Sequence, residues 1–217
     1  AQDADIMKTA FLSFCGGGVH NFFESITDKK YVIDKSRGWG VHYNFLNSFH
    51  PDPKIICMIR DPRAIMASME KNFRKNQHLD SGLVNHAEMT GTTTEKRVDI
   101  WVGSQPVGLA LERLYQIVKE GINEKMLFIK FENLTQNPQK EIEKVYNFLE
   151  LPQFKHDFNN VEQITQEDDQ VYGMYGDHTI KSKVEPVKKD YNQVLGTQAA
   201  NWVKNNYKWF YDTFKYY

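Results

Sequence analysis

The sequence predicts an α/β fold, a three-layer α/β/α sandwich built around a parallel sheet. Two short segments, residues 54–59 and 126–131, are almost continuously apolar, which is typical of strands buried on both faces of a parallel sheet. A third β-type segment lies upstream, at residues 31–34. Helical patterns separate and follow these strands, and such alternation favours right-handed crossovers between parallel strands.

Length and composition favour one domain over residues 1–217. Hydrophobic residues make up 41% of the 217 positions and charged residues 25%, and a chain of this size buries roughly 70% of its unfolded surface, so folding needs neither disulfides nor metals. The 27 Lys and Arg residues nearly balance the 28 Asp and Glu residues. Because no basic excess is present, nucleic acid is not an expected partner. No apolar run reaches the roughly 18 residues of a membrane span.

The cysteines and the first residues bear on the compartment. Cys15 and Cys57 are the two cysteines, and Cys57 lies inside an apolar run, which favours a reduced, buried thiol. The opening residues, AQDADIMKTA, lack the basic and small-residue pattern of a secretory signal. The sequence therefore predicts a cytoplasmic protein.

Four helices are predicted from capping residues and apolar periodicity. The first spans residues 62–75, with Asp61 as its N-cap and proline at its first position. The second ends before Gly121, and Pro106 begins or kinks it. The other two are predicted over residues 138–149, capped by Asn137, and over residues 197–214. Residues 76–96 and 152–190 are polar and without a clear period, so they are predicted as loops or short helices.

The segment after the second strand carries the most chemical information. Arg60 ends that strand, at the edge of a parallel sheet where ligands bind, and a helix with free backbone N–H groups begins two residues later. An anion placed there meets a guanidinium and a helix N-terminus together. Ser68 lies mid-helix, where serine is a mediocre helix former, so its hydroxyl is available for a contact outside the helix. The alternative is that Arg60 pairs with Asp61 or another acid, and that Ser68 is simply small.

These residues resemble a family. Ser68 follows Arg60 by eight positions, which resembles the 3′-phosphate-binding motif of sulfotransferases that use 3′-phosphoadenosine-5′-phosphosulfate (PAPS). Residues 31–36 are similar to the strand and loop that carry a catalytic lysine in that family, and residues 127–152 to its strand, acidic turn and Pro-initiated helix. Residues 178–191 resemble its basic loop. The resemblance implies a fold like that of the P-loop nucleoside-triphosphate hydrolases.

The resemblance also implies site residues. Arg60, Ser68, Lys181 and Lys183 are expected to bind the 3′-phosphate, and Phe131 to stack on adenine. The alternative for the two lysines is that they belong to a solvated loop. The alternative for Phe131 is that it is a core residue. Lys35 is expected at the leaving phosphate oxygen. PAPS is thus the expected co-substrate, without a metal, and the acceptor is a small molecule, carbohydrate or peptide.

Sulfuryl transfer also needs a base that takes the proton of the acceptor hydroxyl or amine. The cytosolic branch of the family has a histidine two residues after the lysine, whereas this chain has Arg37, whose pKa is too high for a base. The chain is more similar to the carbohydrate- and protein-directed branches, where a glutamate from another helix serves. Glu24 is the expected base, with His20 and His42 as alternatives. Arg37 is expected to hold an anionic acceptor or the sulfuryl oxygens.

One family feature is missing from the sequence. Sulfotransferases of this type begin with a Gly/Ser-rich loop that cradles the 5′-phosphosulfate, and the Gly16-Gly17-Gly18 run has no Lys-Ser/Thr behind it, so it is predicted to be a turn or a helix end. Either the sequence begins after the first βα unit or the domain binds without catalysing. A P-loop-type kinase and a non-catalytic module for nucleotides or sulfated glycans therefore remain as alternatives. Candidate aromatic residues for an acceptor cleft are Trp39, Trp101, Tyr172 and Tyr175.

Overall fold

The computed structural model describes residues 3–76, 89–165, 168 and 179–216. Tyr172 and Tyr175 lie outside the described residues. Two strands, β1 (Ile56–Ile59) and β2 (Leu127–Lys130), pair in parallel, with Ile56 opposite Leu127 and Ile59 opposite Lys130. These are two of the three predicted strands, each shorter than expected, and the predicted parallel arrangement is confirmed for this pair.

Helices make up most of the described chain. In chain order they are α1 (Ala4–Ile26), α2 (Tyr43–Asn47), α3 (Pro62–Lys75), α4 (Thr94–Gly103), α5 (Val107–Lys119), α6 (Phe131–Gln136), α7 (Pro138–Leu149), α8 (Tyr191–Leu195), α9 (Thr197–Asn206) and α10 (Lys208–Phe214). A 3₁₀ turn, Ile122–Lys125, precedes β2. The class is therefore α/β with a small parallel sheet. None of the described helices is both long enough and apolar enough to span a lipid bilayer.

Local capping chemistry explains why two helices have the predicted bounds. The Asp61 side chain accepts a hydrogen bond from the backbone N–H of Arg63 at 2.9 Å, and Pro62 occupies the first position of α3. Likewise, the Asn137 side chain accepts from the backbone N–H of Lys140 at 3.4 Å at the start of α7. Each cap satisfies a backbone donor that the helix itself leaves unpaired.

The predicted strand at residues 31–34 is wrong. These residues form no ladder in the described part of the chain, and Ile33 is 87% exposed. Strand preference of β-branched residues reflects packing against cross-strand neighbours, and no described strand lies beside this segment. With two strands in the described ranges, a three-layer sandwich is not established.

The glycine run and the last helix also differ from the prediction. The run lies in the middle of α1, where Gly16 faces the side chain of Phe49: a Cβ there would approach the Phe49 Cβ to 3.4 Å. Instead of one C-terminal helix, α9 and α10 meet at Tyr207, whose φ of −109° and ψ of 32° interrupt the helix. The Tyr207 hydroxyl donates to the Val102 carbonyl at 3.2 Å, so a contact to α4 fixes the break.

Two apolar clusters support the sheet. The larger one joins Ile59 of β1 to α3, α4, α5, α8, α9 and α10, and its most deeply buried members include Met66, Trp101, Val203 and Phe210. The smaller one contains Tyr43, Ile117, Ile122 and Met126. The carboxyl end of β1 and the first turn of α3 therefore rest on the larger core, which gives the residues there a rigid base.

A close backbone approach makes Gly108 a sensitive position of that core. A Cβ at Gly108 would lie 2.3 Å from the Val102 carbonyl oxygen, so Gly108→Ala is expected to lower the free energy of unfolding by about 1–3 kcal/mol. The control is Gly17→Ala, whose Cβ would meet nothing within 4 Å and which should stabilise α1 by up to about 1 kcal/mol. Urea unfolding of both variants measures the difference, and equal changes would contradict the tight contact.

Candidate anion-binding site

Two of the predicted site residues meet at the carboxyl edge of the sheet. Arg60 directly follows β1 and Phe131 directly follows β2, and the parallel register sets them opposite each other. The Arg60 guanidinium carbon lies 4.7 Å from the centroid of the Phe131 ring, within the range of a cation–π contact. The ring therefore orients the guanidinium at the edge where α/β sheets bind ligands.

Arg60 has no carboxylate partner in the described part of the chain. Its Nε is buried and makes no hydrogen bond there. Burial lowers the pKa of Arg60 from its ordinary value, while the charges of Glu132 and Asp61 oppose this change. The half-buried guanidinium is thus a cation with donors to spare, which is the chemistry that an anionic group requires.

Asp61 is occupied by other groups, so the alternative of an Arg60–Asp61 pair is wrong. The Arg63 Nη2 lies 2.6 Å from Asp61 Oδ2, and the Arg63 Nε donates to Oδ1 at 3.0 Å. The Tyr211 hydroxyl donates to the same Oδ1 at 2.9 Å. The Arg63 guanidinium in turn lies over the rings of Tyr191, at 4.3 Å, and Tyr211, at 5.1 Å. Asp61 therefore serves α3 and this buried cluster.

Glu132, which the sequence analysis did not single out, is the second acid beside Arg60. One carboxylate oxygen accepts from the Asp61 backbone N–H at 3.0 Å, and the other accepts from the Tyr216 hydroxyl at 2.8 Å. The Lys130 ammonium, which lies 4.5 Å from the Tyr216 ring centroid, donates to the Lys215 carbonyl at 3.0 Å. Lys215 and Tyr216 thereby contact residues at the carboxyl end of β2.

Ser68 lies on α3, downstream of Arg60, with its side chain half-buried. Its hydroxyl has no hydrogen-bond partner among the described residues. The next polar residue on the helix, Glu70, is fully buried and holds α3 in place: Arg97 donates to it at 2.6 and 2.7 Å, and Arg74 at 2.7 Å. The helix that presents Ser68 is thus fixed by an internal ion-pair network.

The part of the basic loop that carries Lys181 and Lys183 makes backbone hydrogen bonds to Phe158 and Val161. The Val161 N–H donates to the Ser182 carbonyl at 2.7 Å, and the Val184 N–H to the Phe158 carbonyl at 2.8 Å. Lys181 and Lys183 are exposed, and the Lys183 ammonium lies 3.6 Å from Glu185. Within the described ranges, no contact joins either lysine to Arg60 or Ser68.

Among the described residues, none of the predicted catalytic residues contacts Arg60. Lys35 is exposed in an irregular segment. Glu24 lies on α1, 3.4 Å from His20 Nδ1, and both side chains are about 70% exposed. Arg37 contributes its carbonyl to a hydrogen bond from Arg113 at 3.1 Å. Lys35, Glu24 and Arg37 all come before β1 in the sequence, and all three are exposed.

The remaining predicted residues divide by burial. His42 is the N-cap residue of α2, but its side chain makes no capping hydrogen bond to the helix. The Trp39 indole N–H donates to Asp34. Trp101 has 0% exposure, so its expected place in an acceptor cleft is wrong: it is a core residue. No cluster of metal-ligating side chains is found among the described residues.

Comparisons with known proteins agree on one family. The family model described as "Sulfotransferase family" matches residues 2–156. Carbohydrate sulfotransferase 1 of Homo sapiens is 26% identical over 130 residues, which are 52% of this chain and 28% of that protein. Carbohydrate sulfotransferase 1 of Rattus norvegicus is 25% identical over matching shares. The chain thus aligns with under a third of the length of these relatives, and no solved structure gives a significant match.

These relatives contradict the expected cytoplasmic location. The expectation relied on the two unpaired cysteines, Cys15 and Cys57, and on the pattern of the opening residues. However, burial raises the pKa of the Cys57 thiol to about 11, and a buried, protonated thiol is inert. A free Cys57 therefore carries no information about the redox state of the compartment.

Proposed function

The chain belongs to the sulfotransferase family, and we propose that it transfers a sulfuryl group from PAPS to a hydroxyl or amine of a carbohydrate acceptor. One observation carries the donor assignment: the Arg60 guanidinium is oriented on Phe131 at the carboxyl edge of the sheet without a carboxylate partner among the described residues. The curated relatives, named as carbohydrate sulfotransferases, support the acceptor class.

PAPS carries a 3′-phosphate and an adenine ring, and the contact between the Arg60 guanidinium and the Phe131 ring supports a site for both groups. In this proposal Arg60 and Ser68 bind the 3′-phosphate, and Phe131 stacks on adenine. Lys181 and Lys183 add charge to the 3′-phosphate when their loop closes over it. Arginine suits this task because its planar donor set matches the geometry of phosphate oxygens.

The transfer itself demands little covalent chemistry from the protein. A bond forms between the acceptor oxygen or nitrogen and sulfur, while the bond between sulfur and the bridging phosphate oxygen breaks. Lys35 donates to that leaving oxygen, where negative charge develops, and Glu24 takes the acceptor's proton, with His20 and His42 as alternatives. Arg37 holds the sulfuryl oxygens or an anionic acceptor. Positioning and charge stabilisation supply the rate acceleration, as in phosphoryl transfer.

The test compares two nucleotides that differ by one phosphate. Adenosine 3′,5′-bisphosphate is expected to bind roughly 10²-fold more tightly than AMP, because two or three charge-assisted hydrogen bonds to the 3′-phosphate contribute about 1.5–3 kcal/mol each before losses. Titration calorimetry measures both affinities. Melting temperatures at matched ligand concentrations provide a second readout, since a ligand that binds the native state raises its stability.

Arg60→Ala should remove most of the preference for the bisphosphate and leave AMP binding nearly unchanged. The control is Lys54→Ala: Lys54 precedes β1 at its opposite end and pairs with Asp52 at 2.7 Å and Glu150 at 3.2 Å, so the preference should persist. ATP binding as tightly as the bisphosphate would contradict the PAPS assignment and favour a kinase. Absence of any nucleotide binding by the full-length protein would favour a glycan-binding module.

A further inference from the structure

We infer that two tyrosines near the C-terminus, Tyr211 and Tyr216, keep Arg60 available for its anionic ligand by occupying the two carboxylates beside it. This inference rests on the proposed function, because the anion in question is the 3′-phosphate of the donor. It adds two positioning residues that act through Asp61 and Glu132, without contacting the ligand.

The sequence and the strand register place acidic residues close to Arg60. Arg60 is followed directly by Asp61 and faces the Phe131–Glu132 pair across the sheet. The charges of Glu132 and Asp61 act on the Arg60 guanidinium more strongly than that of Asp190, which pairs with Lys71 at 2.5 Å. In a half-buried setting, an arginine near two carboxylates is expected to form a salt bridge. Yet neither acid pairs with Arg60 in the described part of the chain, so something else must satisfy them.

At Glu132 the competing donors are a backbone amide and a phenol. The Asp61 N–H donates to Oε1 at 3.0 Å, and the Tyr216 hydroxyl donates to Oε2 at 2.8 Å. Burial, with the adjacent Glu132 carboxylate, raises the pKa of Tyr216 far above its ordinary value, so the phenol stays a donor. Both carboxylate oxygens are therefore engaged.

At Asp61 the competing donors are stronger. Arg63 donates to both oxygens, at 3.0 Å to Oδ1 and 2.6 Å to Oδ2. The Tyr211 hydroxyl adds a bond to Oδ1 at 2.9 Å, and Tyr211 is only 3% exposed. Arg63 neutralises Asp61 by itself. The availability of Arg60 therefore depends more on the bond between Tyr216 and Glu132 than on the bond between Tyr211 and Asp61.

These tyrosines come from outside the part of the chain that matches the family model. That match ends at residue 156, whereas Tyr211 lies on α10 and Tyr216 follows it. They reach the site across 150 and 84 positions of sequence, respectively. The segment 208–216 is thus a structural part of the anion site of this chain.

Tyr216→Phe is the informative variant, because it removes one hydroxyl and keeps the ring. The released Glu132 oxygen is then expected to turn to Arg60 and compete with the phosphate. We expect the affinity for adenosine 3′,5′-bisphosphate to fall about tenfold, in line with the loss of one hydrogen bond to a charged group, while AMP affinity stays unchanged. Tyr211→Phe should have a smaller effect on this ratio, because Arg63 still holds Asp61.

The matched control is Tyr207→Phe. The Tyr207 hydroxyl donates to the Val102 carbonyl at 3.2 Å. The variant therefore loses one tyrosine hydroxyl just before the segment 208–216, and this hydroxyl contacts neither Asp61 nor Glu132. Its ratio of bisphosphate to AMP affinity should equal that of the parent. A general loosening of the C-terminal segment would move both variants alike, whereas the proposed competition moves Tyr216→Phe alone.

A double variant tests the competition directly. In Tyr216→Phe combined with Glu132→Gln, the amide oxygen still accepts from the Asp61 N–H but carries no charge to neutralise Arg60, so the preference for the bisphosphate should return. An unchanged ratio in Tyr216→Phe, or no recovery in the double variant, overturns the inference while the proposed function stands. A parent protein without a preference for the bisphosphate refutes the proposed function, and the inference with it.

Discussion

Glu70→Gln is expected to lower the free energy of unfolding by about 3–5 kcal/mol, the usual cost of breaking a buried ion pair by removing one partner. Glu70 is fully buried, and its partner Arg97 is 7% exposed. The variant leaves the Arg97 guanidinium inside the protein without a countercharge, stacked 4.4 Å from the Phe73 ring centroid. Urea unfolding, followed by circular dichroism, measures the change.

The matched control is Glu141→Gln. Glu141 is also buried, at 4% exposed, but its partner Lys144 has a side chain that is 44% exposed and reaches water when the pair is broken. We expect a loss of about 1 kcal/mol or less there. Equal losses at both positions would show that burial of the carboxylate, rather than the stranded Arg97, determines the cost.

The pH dependence of stability gives Glu70 a separate signature. Burial raises the pKa of Glu70, but hydrogen bonds from Arg97 and Arg74 outweigh burial, and the net pKa is lowered from 4.5. A carboxylate whose pKa is depressed by folding stabilises the protein fully above its unfolded pKa, and that contribution is lost as the pH falls through the folded pKa. The stability gap between parent and Glu70→Gln should therefore be constant near neutral pH and shrink below about pH 4.5. A gap that persists in acid would contradict the ion-pair account.

This network also bears on the site. Arg74 donates to the Val194 carbonyl at 3.0 Å as well as to Glu70, so it ties α3 to the end of α8. Lys71 pairs with Asp190 at 2.5 Å, just before α8. Because α3 carries Ser68 and begins beside Arg60, these ties fix the helix against which an anion would bind.

Local signals were enough to predict the start of α3, beside which Arg60 lies. Asp61 caps α3 by accepting from the N–H of Arg63, two residues on, and Pro62 has its φ preset, so the helix start depends on residues close in sequence. The meeting of Arg60 and Phe131 needs one further step, the pairing of two apolar strands in parallel. That step follows from the uninterrupted apolar character of both strands.

The rest of the site depends on distant contacts that no local pattern encodes. Tyr211 lies on the predicted C-terminal helix and Tyr216 follows it, and only the tertiary fold reveals the contacts of their hydroxyls with Asp61 and Glu132. The failed strand at residues 31–34 has the same origin. β-Branched residues form a strand only where a neighbouring strand can pair with them. The sequence of the segment does not show whether such a strand is present.

Lys35→Ala is expected to reduce the turnover of the full-length protein by about 10²–10³-fold, the typical loss when one donor to a developing negative charge is removed. Binding of adenosine 3′,5′-bisphosphate should change little, because a group aimed at the leaving oxygen acts mainly in the transition state. Lys35 is free to take this role: it is exposed, and the adjacent Asp34 carboxylate accepts from the Trp39 indole instead. The rate of sulfuryl transfer from PAPS to a carbohydrate acceptor, at saturating donor, measures the effect.

The control for Lys35 is Lys30→Ala, in the same irregular segment, where the Lys30 ammonium lies 5.1 Å from the Tyr31 ring centroid. This variant removes the same charge from the same exposed surface and should retain the parent rate. Glu24→Gln tests the expected base, and an unchanged dependence of the rate on pH would transfer that role to His20 or His42. Parent-like turnover in Lys35→Ala would exclude Lys35 from the mechanism.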